Sequence, residues 1–200
     1  MGSVSIAIAA EELIMIECRF YGRGGQGALT ACDIMVAALG CEGKYGQGFP
    51  FFAGERRGAP MNTYLRIDDK PIRRREQIYS PDVVCVLDSK LADNKIWYQG
   101  LKQGGIAVLN TRRSFESFSL PIELSKFGSL DATQLAIDTF GPTAIPITNT
   151  SMLGALAKTT GIVKLDSLLE AFRHKFSGRM VESNVEAARA AYEKTLVISF

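Results

Sequence analysis

The stretch "GRGGQG", residues 22–27, satisfies G-x-G-x-x-G with Gly22, Gly24 and Gly27 in place. An apolar run precedes it and a small-residue helical pattern follows, which is the context in which such a turn can cradle a phosphate. The glycines admit positive φ and close approach, and the helix N-terminus behind them offers unpaired N–H groups and the positive end of its dipole. Arg23 lies in the turn, Lys44 follows, and Arg56 and Arg57 stand side by side in "GERRGAP". An arginine flanked by glycine presents its planar fork to a phosphate without obstruction. A nicotinamide dinucleotide additionally asks for an acidic residue about 20 positions on, at the end of a second strand. That region reads "KYGQGFPF" and has none. Two readings stand beside each other: a loop that holds some other phosphate, and a tight turn that binds nothing.

Catalytic chemistry is sparse. The single histidine, His174, lies between Arg173 and Lys175 in an amphipathic pattern, which places it at the surface. No Ser-His-Asp or Cys-His set can be built around it, so no catalytic residue is assigned. Cys18, Cys32, Cys41 and Cys85 are far apart, with no C-x-x-C pair, and predict neither zinc nor iron–sulfur ligation. Cys18 and Cys85 fall in apolar runs and read as buried free thiols, consistent with a reducing cytoplasm. Asp88 ends a continuous apolar run, where it can either contact a ligand at a strand's carboxyl end or cap the next turn.

The elements that must position these residues follow from periodicity. "IMIECRFY" (14–21) predicts a strand leading into the glycine turn, and "ALTACDIMVAALG" a helix closed by Gly40. Residues 41–60 are too rich in glycine for a regular element and predict a functional loop. "MNTYLRIDDKPIRRRE" alternates on either side of Asp68-Asp69 and predicts a hairpin turning near Asp69. Within it, Arg73, Arg74 and Arg75 make either a solvated face or a docking edge for an acidic neighbour. "PDVVCVLDS" and "IAVLN" read as buried strands, with a helix from Leu91 to Leu101 between them. A short strand and helix follow in "FGSLDATQLAIDTFG". "NTSMLGALAKTTG" predicts a helix capped by Asn149 or Thr150, and "LDSLLEAFRHKF" and "ESNVEAARAAYEK" predict two more. Alternating strands and helices give an α/β fold with a mainly parallel sheet, helices on both faces and an added β-hairpin.

Two hundred residues suit one domain, here 14–200, with residues 1–13 as an N-terminal tail. A chain of this length buries roughly 70% of its unfolded surface and needs no disulfide or metal to fold. The net charge of +2, from 23 basic and 21 acidic residues, is too balanced for a general nucleic-acid or membrane binder. "SVSIAIAA" has no basic flank and is too short for a span of about 20 apolar residues, so no secretory signal or membrane segment is expected. "FPFF" (49–52) is a compact apolar run that predicts partial burial in an interface.

"GRGGQGA", "GKYGQGFPFFAGERRGAP", "RIDDKPIR", "PDVVCVLD" and "NTSMLGA", in this order and spacing, resemble the gamma subunit of the 2-oxoacid:ferredoxin oxidoreductases, the family of pyruvate synthase. The resemblance runs from about Ile14 to Tyr192. It implies a Rossmann-like subunit of a cytoplasmic enzyme that oxidatively decarboxylates a 2-oxoacid to an acyl-CoA and passes electrons to ferredoxin. It also implies that thiamine pyrophosphate, Mg2+ and [4Fe–4S] clusters reside in companion alpha, beta and delta chains, while the gamma chain completes the assembly and helps bind coenzyme A. Carried over residue by residue, Arg23, Gly24, Gly25 and Gln26 would face the nucleotide end of coenzyme A. Arg56 and Arg57 would meet its phosphates, and Asn149 would add a polar contact. The ligand's 3′-phosphate would explain the missing ribose acid, because a carboxylate there would repel it. The same motifs suit a member using NAD as acceptor, of the aryl-glyoxylate type, or a structural subunit with an empty loop. A stand-alone nucleotide-binding oxidoreductase fits less well, for want of that acid.

Overall fold

The structure, a computed structural model, describes residues 14–51 and 59–200. A seven-stranded sheet runs in the order β2-β3-β1-β4-β5-β6-β7. The strands are β1 (Ile16–Arg23), β2 (Tyr45–Phe51), β3 (Pro60–Asp68), β4 (Val83–Val86), β5 (Gly105–Asn110), β6 (Leu124–Leu130) and β7 (Leu196–Ser199). The helices are α1 (Ala28–Cys41), α2 (Ser89–Ala92), α3 (Ala132–Phe140), α4 (Asn149–Thr160), α5 (Leu165–Lys175) and α6 (Arg179–Lys194). In the middle, β1, β4, β5 and β6 are parallel, while β3 and β7 pair antiparallel at either side and β2 continues from β3. The expected α/β class with a largely parallel centre is therefore present.

The helices divide unequally between the faces. Val83 and Cys85 of β4 point into a core built from α1, α3, α4, α5 and α6. Val84 and Val86 point the other way, against the short α2 and an aromatic layer of Trp97, Phe115, Phe118 and Phe127. All of β4 is buried, which is why its sequence is a continuous apolar run without alternation.

Several elements differ from the expectations above. Residues 45–51 form a strand, not a loop, and the hairpin is the β2–β3 pair; residues 71–82 form no strand. The glycines are what let β2 lie on α1. A Cβ on Gly46 would stand 3.0 Å from Val36 Cα, and one on Gly48 would stand 3.1 Å from Cys32 Cβ. With β3 paired to β1 on one edge and β2 on the other, no edge of β3 is left for residues after Asp69. The helix expected over Leu91–Leu101 stops at Ala92, where Trp97 folds back and its Nε1 donates to Ala92 O at 3.1 Å. Gly100 (φ 75°) then turns so closely on Tyr79 O that a Cβ would stand 2.3 Å from it. Finally, β7 closes the sheet beside β6, although its sequence shows no strand alternation. α1 also runs through Gly40 to Cys41, and α4 begins at Asn149 with Thr148 in the capping position.

Among the described residues no helix is long and apolar enough to cross a membrane.

Candidate functional site at the carboxyl edge of the sheet

β1 ends in Gly22-Arg23, and the chain turns through Gly24, Gly25 and Gln26 into α1. Gly25 (φ 99°) and Gly27 (φ 75°) take the left-handed conformations that only glycine adopts readily. Gly27 is the cap of α1 and leaves that helix without a side-chain cap, and no acidic residue stands in its first turn. A Cβ at Gly27 would lie 2.6 Å from Asn149 Nδ2, so a side chain there would push the Asn149 amide aside. The N-terminus of a 14-residue helix thus opens at the carboxyl edge of the sheet, where parallel α/β folds bind ligands.

One buried carboxylate organises the loop. Gln26, 3% exposed, accepts from Arg23 N through Oε1 at 2.7 Å and donates from Nε2 to Asp88 Oδ2 at 2.7 Å. Asp88 also caps α2, accepting from Lys90 N at 3.0 Å and Leu91 N at 3.1 Å. Arg23 Nε lies 3.2 Å from Asp88 Oδ1. Of the two readings of Asp88's position, the structure shows the cap of the following turn; the same carboxylate also anchors the glycine loop. Three N–H donors and the Arg23 guanidinium share its negative charge, which lowers its repulsion toward an anion at the loop.

Behind the loop is a buried polar network that sequence reasoning missed. Asn110 Nδ2 and Thr148 Oγ1 both donate to Leu87 O at 2.8 Å. Thr150 Oγ1 donates to Asn184 Oδ1 at 2.5 Å, joining the start of α4 to α6. Asn110 carried the same signal as Asp88, a polar residue ending an apolar strand; Thr148 and Asn184 carried none.

The structure separates the predicted site residues. Arg23, Gly24 and Gly25 border the open side of the loop, with Gly25 exposed and Arg23 half-buried. Gln26 faces inward, and its side-chain bonds hold the loop. Asn149 is 4% exposed, and its Nδ2 donates weakly to Gly27 O at 3.4 Å, so it too supports the loop from behind. Arg56 and Arg57 lie outside the described residues. The chain re-emerges at Ala59, whose carbonyl accepts from Gly24 N at 3.0 Å. Lys44 is not part of the cluster. It stands past the far end of α1, about 20 Å of helix away, with Nζ on Glu42 Oε2 and Ile162 O, both at 3.1 Å.

Other candidate chemistry is placed elsewhere. His174 is 73% exposed and pairs with Glu170 at 3.3 Å. Cys18, Cys32 and Cys85 are buried and free, and burial pushes their thiols up, away from the reactive thiolate. Among the described residues no group of three or more His, Cys, Asp or Glu is placed to hold a metal. A cleft of about 400 Å³ lies over the carboxyl ends of β5 and β6, but its arginines are engaged. Arg112 pairs with Asp131, and Arg113 pairs with Asp93 at 2.9 Å.

Residues 17–194 match the family model of pyruvate ferredoxin/flavodoxin oxidoreductase. The chain belongs to that family. It is 52% identical over 185 residues to the pyruvate/ketoisovalerate oxidoreductases common subunit gamma of Thermococcus litoralis, covering 92% of this chain and 98% of the relative. It is 50% identical over 180 residues to pyruvate synthase subunit PorC of Methanothermobacter marburgensis, covering 90% and 97%. A relative from Aromatoleum evansii, the NADH-dependent phenylglyoxylate dehydrogenase subunit gamma, is 41% identical over 92% of this chain and 95% of its own. The crystal structure of the pyruvate oxidoreductase subunit PORC from Thermotoga maritima superposes with a TM-score of 0.78 at 34% identity, covering 92% and 98%. This family member thus corresponds to gamma subunits over nearly its whole length, as its motifs imply.

The Gln26 bonds give a direct prediction. Gln26→Leu keeps the volume but leaves Arg23 N and one Asp88 oxygen short of a partner. The expected cost is about 1–3 kcal/mol, roughly 2–12 °C in Tm for a domain of this size. A calorimetric Tm equal to wild type would show that these bonds do not hold the loop.

Proposed function

We propose that this chain is the gamma subunit of a 2-oxoacid:ferredoxin oxidoreductase complex and that its glycine loop holds the phosphate end of coenzyme A. The observation that carries the binding role is the open N-terminus of α1. It has no side-chain cap and no first-turn acid, Arg23 stands beside it, and Asp88 is tied up in bonds to the loop and α2. Helix-terminal amides and an adjacent guanidinium are the groups a phosphate monoester or diphosphate requires. In this reading Arg23, Gly24 and Gly25 contact the ligand, with Arg56 and Arg57 entering from the segment before Ala59, while Gln26 and Asn149 position the loop.

Coenzyme A supplies the thiol that accepts the acyl group, and this chain's residues only bind and orient it. Thiamine pyrophosphate, Mg2+ and the [4Fe–4S] clusters belong to companion alpha, beta and delta chains. The cytoplasm is the compartment in which buried free thiols of this kind persist.

The isolated chain is expected to reduce no artificial electron acceptor with any 2-oxoacid, and to support coenzyme A-dependent oxidation only after assembly with its companions. Appreciable dye reduction by the isolated chain would overturn the subunit reading. The likeness to the phenylglyoxylate dehydrogenase subunit favours one second reading, a complex whose acceptor is NAD. Acceptor assays on the assembled enzyme separate the two: NAD reduction without ferredoxin reduction selects the second.

A further inference from the structure

After Asp68 the chain crosses the face of the sheet opposite α1 as an irregular strap, residues 71–80, and two buried arginines hold its backbone. Arg66, 1% exposed, pairs with Glu17 through Nε at 2.9 Å and donates from Nη2 to Glu76 O at 2.7 Å. Arg19, 7% exposed, donates from Nη2 to Ile78 O at 3.0 Å and Tyr79 O at 2.9 Å. Its Nη1 reaches Gln99 O at 2.8 Å and Tyr21 Oη at 2.7 Å. Among the described residues no carboxylate pairs with Arg19; carbonyl oxygens and the faces of Tyr21 and Tyr64, at 5.7 and 6.0 Å, share its charge. Gln77 Nε2 donates to Tyr64 Oη at 2.7 Å, and Ile78 is buried as an apolar anchor. Burying a guanidinium costs several kcal/mol unless it is paired; these two are bonded through most of their nitrogens, with Arg19 Nε and Arg66 Nη1 buried without a hydrogen-bond partner, so the strap is held at a cost that a solvated connection would not carry.

What the strap displays is positive. Arg73, Arg74 and Arg75 are all exposed between the end of β3 and the pinned Glu76 carbonyl. Glu76 stands 3.8 Å from Arg74 Nε, and Asp68 and Asp69 precede the three arginines in the sequence. Arg66 beneath the strap pairs with Glu17, and Arg19 is held by carbonyl oxygens and Tyr21. Tyr79, 71% exposed, continues the surface. Arginine and tyrosine at a position fixed in advance are the side chains that interfaces use most, and a pinned backbone lowers the ordering cost of binding.

We infer that the strap is a docking surface for an acidic face of a companion polypeptide chain, with Arg73, Arg74 and Arg75 as its contacts. The inference rests on the subunit reading above, not on the coenzyme A site. The test is co-expression of the full chain with its companion chains and measurement of co-purification across a salt series. Three variants are compared: wild type, Arg73→Glu/Arg74→Glu/Arg75→Glu, and the charge-keeping Arg73→Lys/Arg74→Lys/Arg75→Lys.

Because the three side chains are exposed, the glutamate variant is expected to keep the wild-type circular dichroism and Tm. Turning three positive charges negative is expected to weaken assembly on the order of 100-fold, while the lysine variant assembles at low salt. Zero-length carbodiimide coupling of the lysine variant is expected to join the strap to Asp or Glu of a companion chain. An intact complex with an unchanged salt midpoint in the glutamate variant would overturn the inference. So would a glutamate variant that loses only co-purifying nucleic acid. Failure of the wild-type chain to assemble would instead overturn the subunit reading.

Discussion

Replacing Arg56 and Arg57 together with alanine is expected to raise the KM for coenzyme A in the assembled enzyme by one to two decades or more, with the 2-oxoacid KM nearly unchanged. A hydrogen bond to a charged group is worth about 1.5–3 kcal/mol. At about 1.4 kcal/mol per tenfold change, the loss of one such contact means on the order of 10- to 100-fold. The pair stands two and three residues before Ala59 in the sequence, and the Ala59 carbonyl accepts from Gly24 N at 3.0 Å, which motivates testing it at this loop. Raising salt should mimic the loss in the unmutated enzyme, because screening acts on partly exposed phosphate contacts. A pair that only docks a companion chain would lower the yield of intact complex and leave the KM alone. The measurement is therefore a coenzyme A titration on gel-filtered double mutant of verified subunit composition. An unchanged KM in intact complex would remove the phosphate role.

The same chemical change at two helical glycines is expected to have opposite signs. Gly154 lies in α4 where it crosses α6, and a Cβ there would stand 2.3 Å from Ala188 O and 3.1 Å from Ala188 C. No rotamer relieves a clash between a methyl group and backbone, so Gly154→Ala must part the two helices. Overpacking of this kind costs about 1–3 kcal/mol, and a larger group such as valine more. Alanine's better helix propensity returns at most about 1 kcal/mol. Gly40, in the last turn of α1, has nothing within 4 Å of its would-be Cβ. Gly40→Ala therefore keeps the propensity gain and is expected to be neutral or stabilising. At roughly 2–4 °C per kcal/mol, calorimetry separates the pair easily. A Gly154→Ala Tm at or above wild type would show that α4 and α6 do not need their close approach. Since Thr150 of α4 is bonded to Asn184 of α6, the parting is also expected to loosen the supports of the glycine loop.

Much of the site was legible because local sequence and local structure agree there. The apolar strand, the G-x-G-x-x-G turn and the helical spacing after it specify strand, turn and helix whatever surrounds them, since each rests on short-range sterics and periodicity. The continuous apolar runs of β4 and β5 likewise report burial on both faces, and the leucines and phenylalanines of α5 report its inner side. The family's motifs could be read from the same residues.

Other features depend on neighbours distant in sequence. "YGQGFPF" is a strand because β3 pairs with all of it, and Gly46 and Gly48 let it lie close on α1. "RIDDKPIRRRE" does not fold into a hairpin because β1 and β2 occupy both edges of β3. Gln26 and Asn149 were ligand contacts only as the family resemblance implied. Tertiary structure turned them inward, because Asp88, 62 residues from Gln26, stands where the Gln26 amide can satisfy it. Short-range sequence could state which residues are at the loop. Which of them are exposed at the loop and which hold it from within was decided by the pairing of buried polar groups across the fold, since each such group must find a partner wherever the chain supplies one.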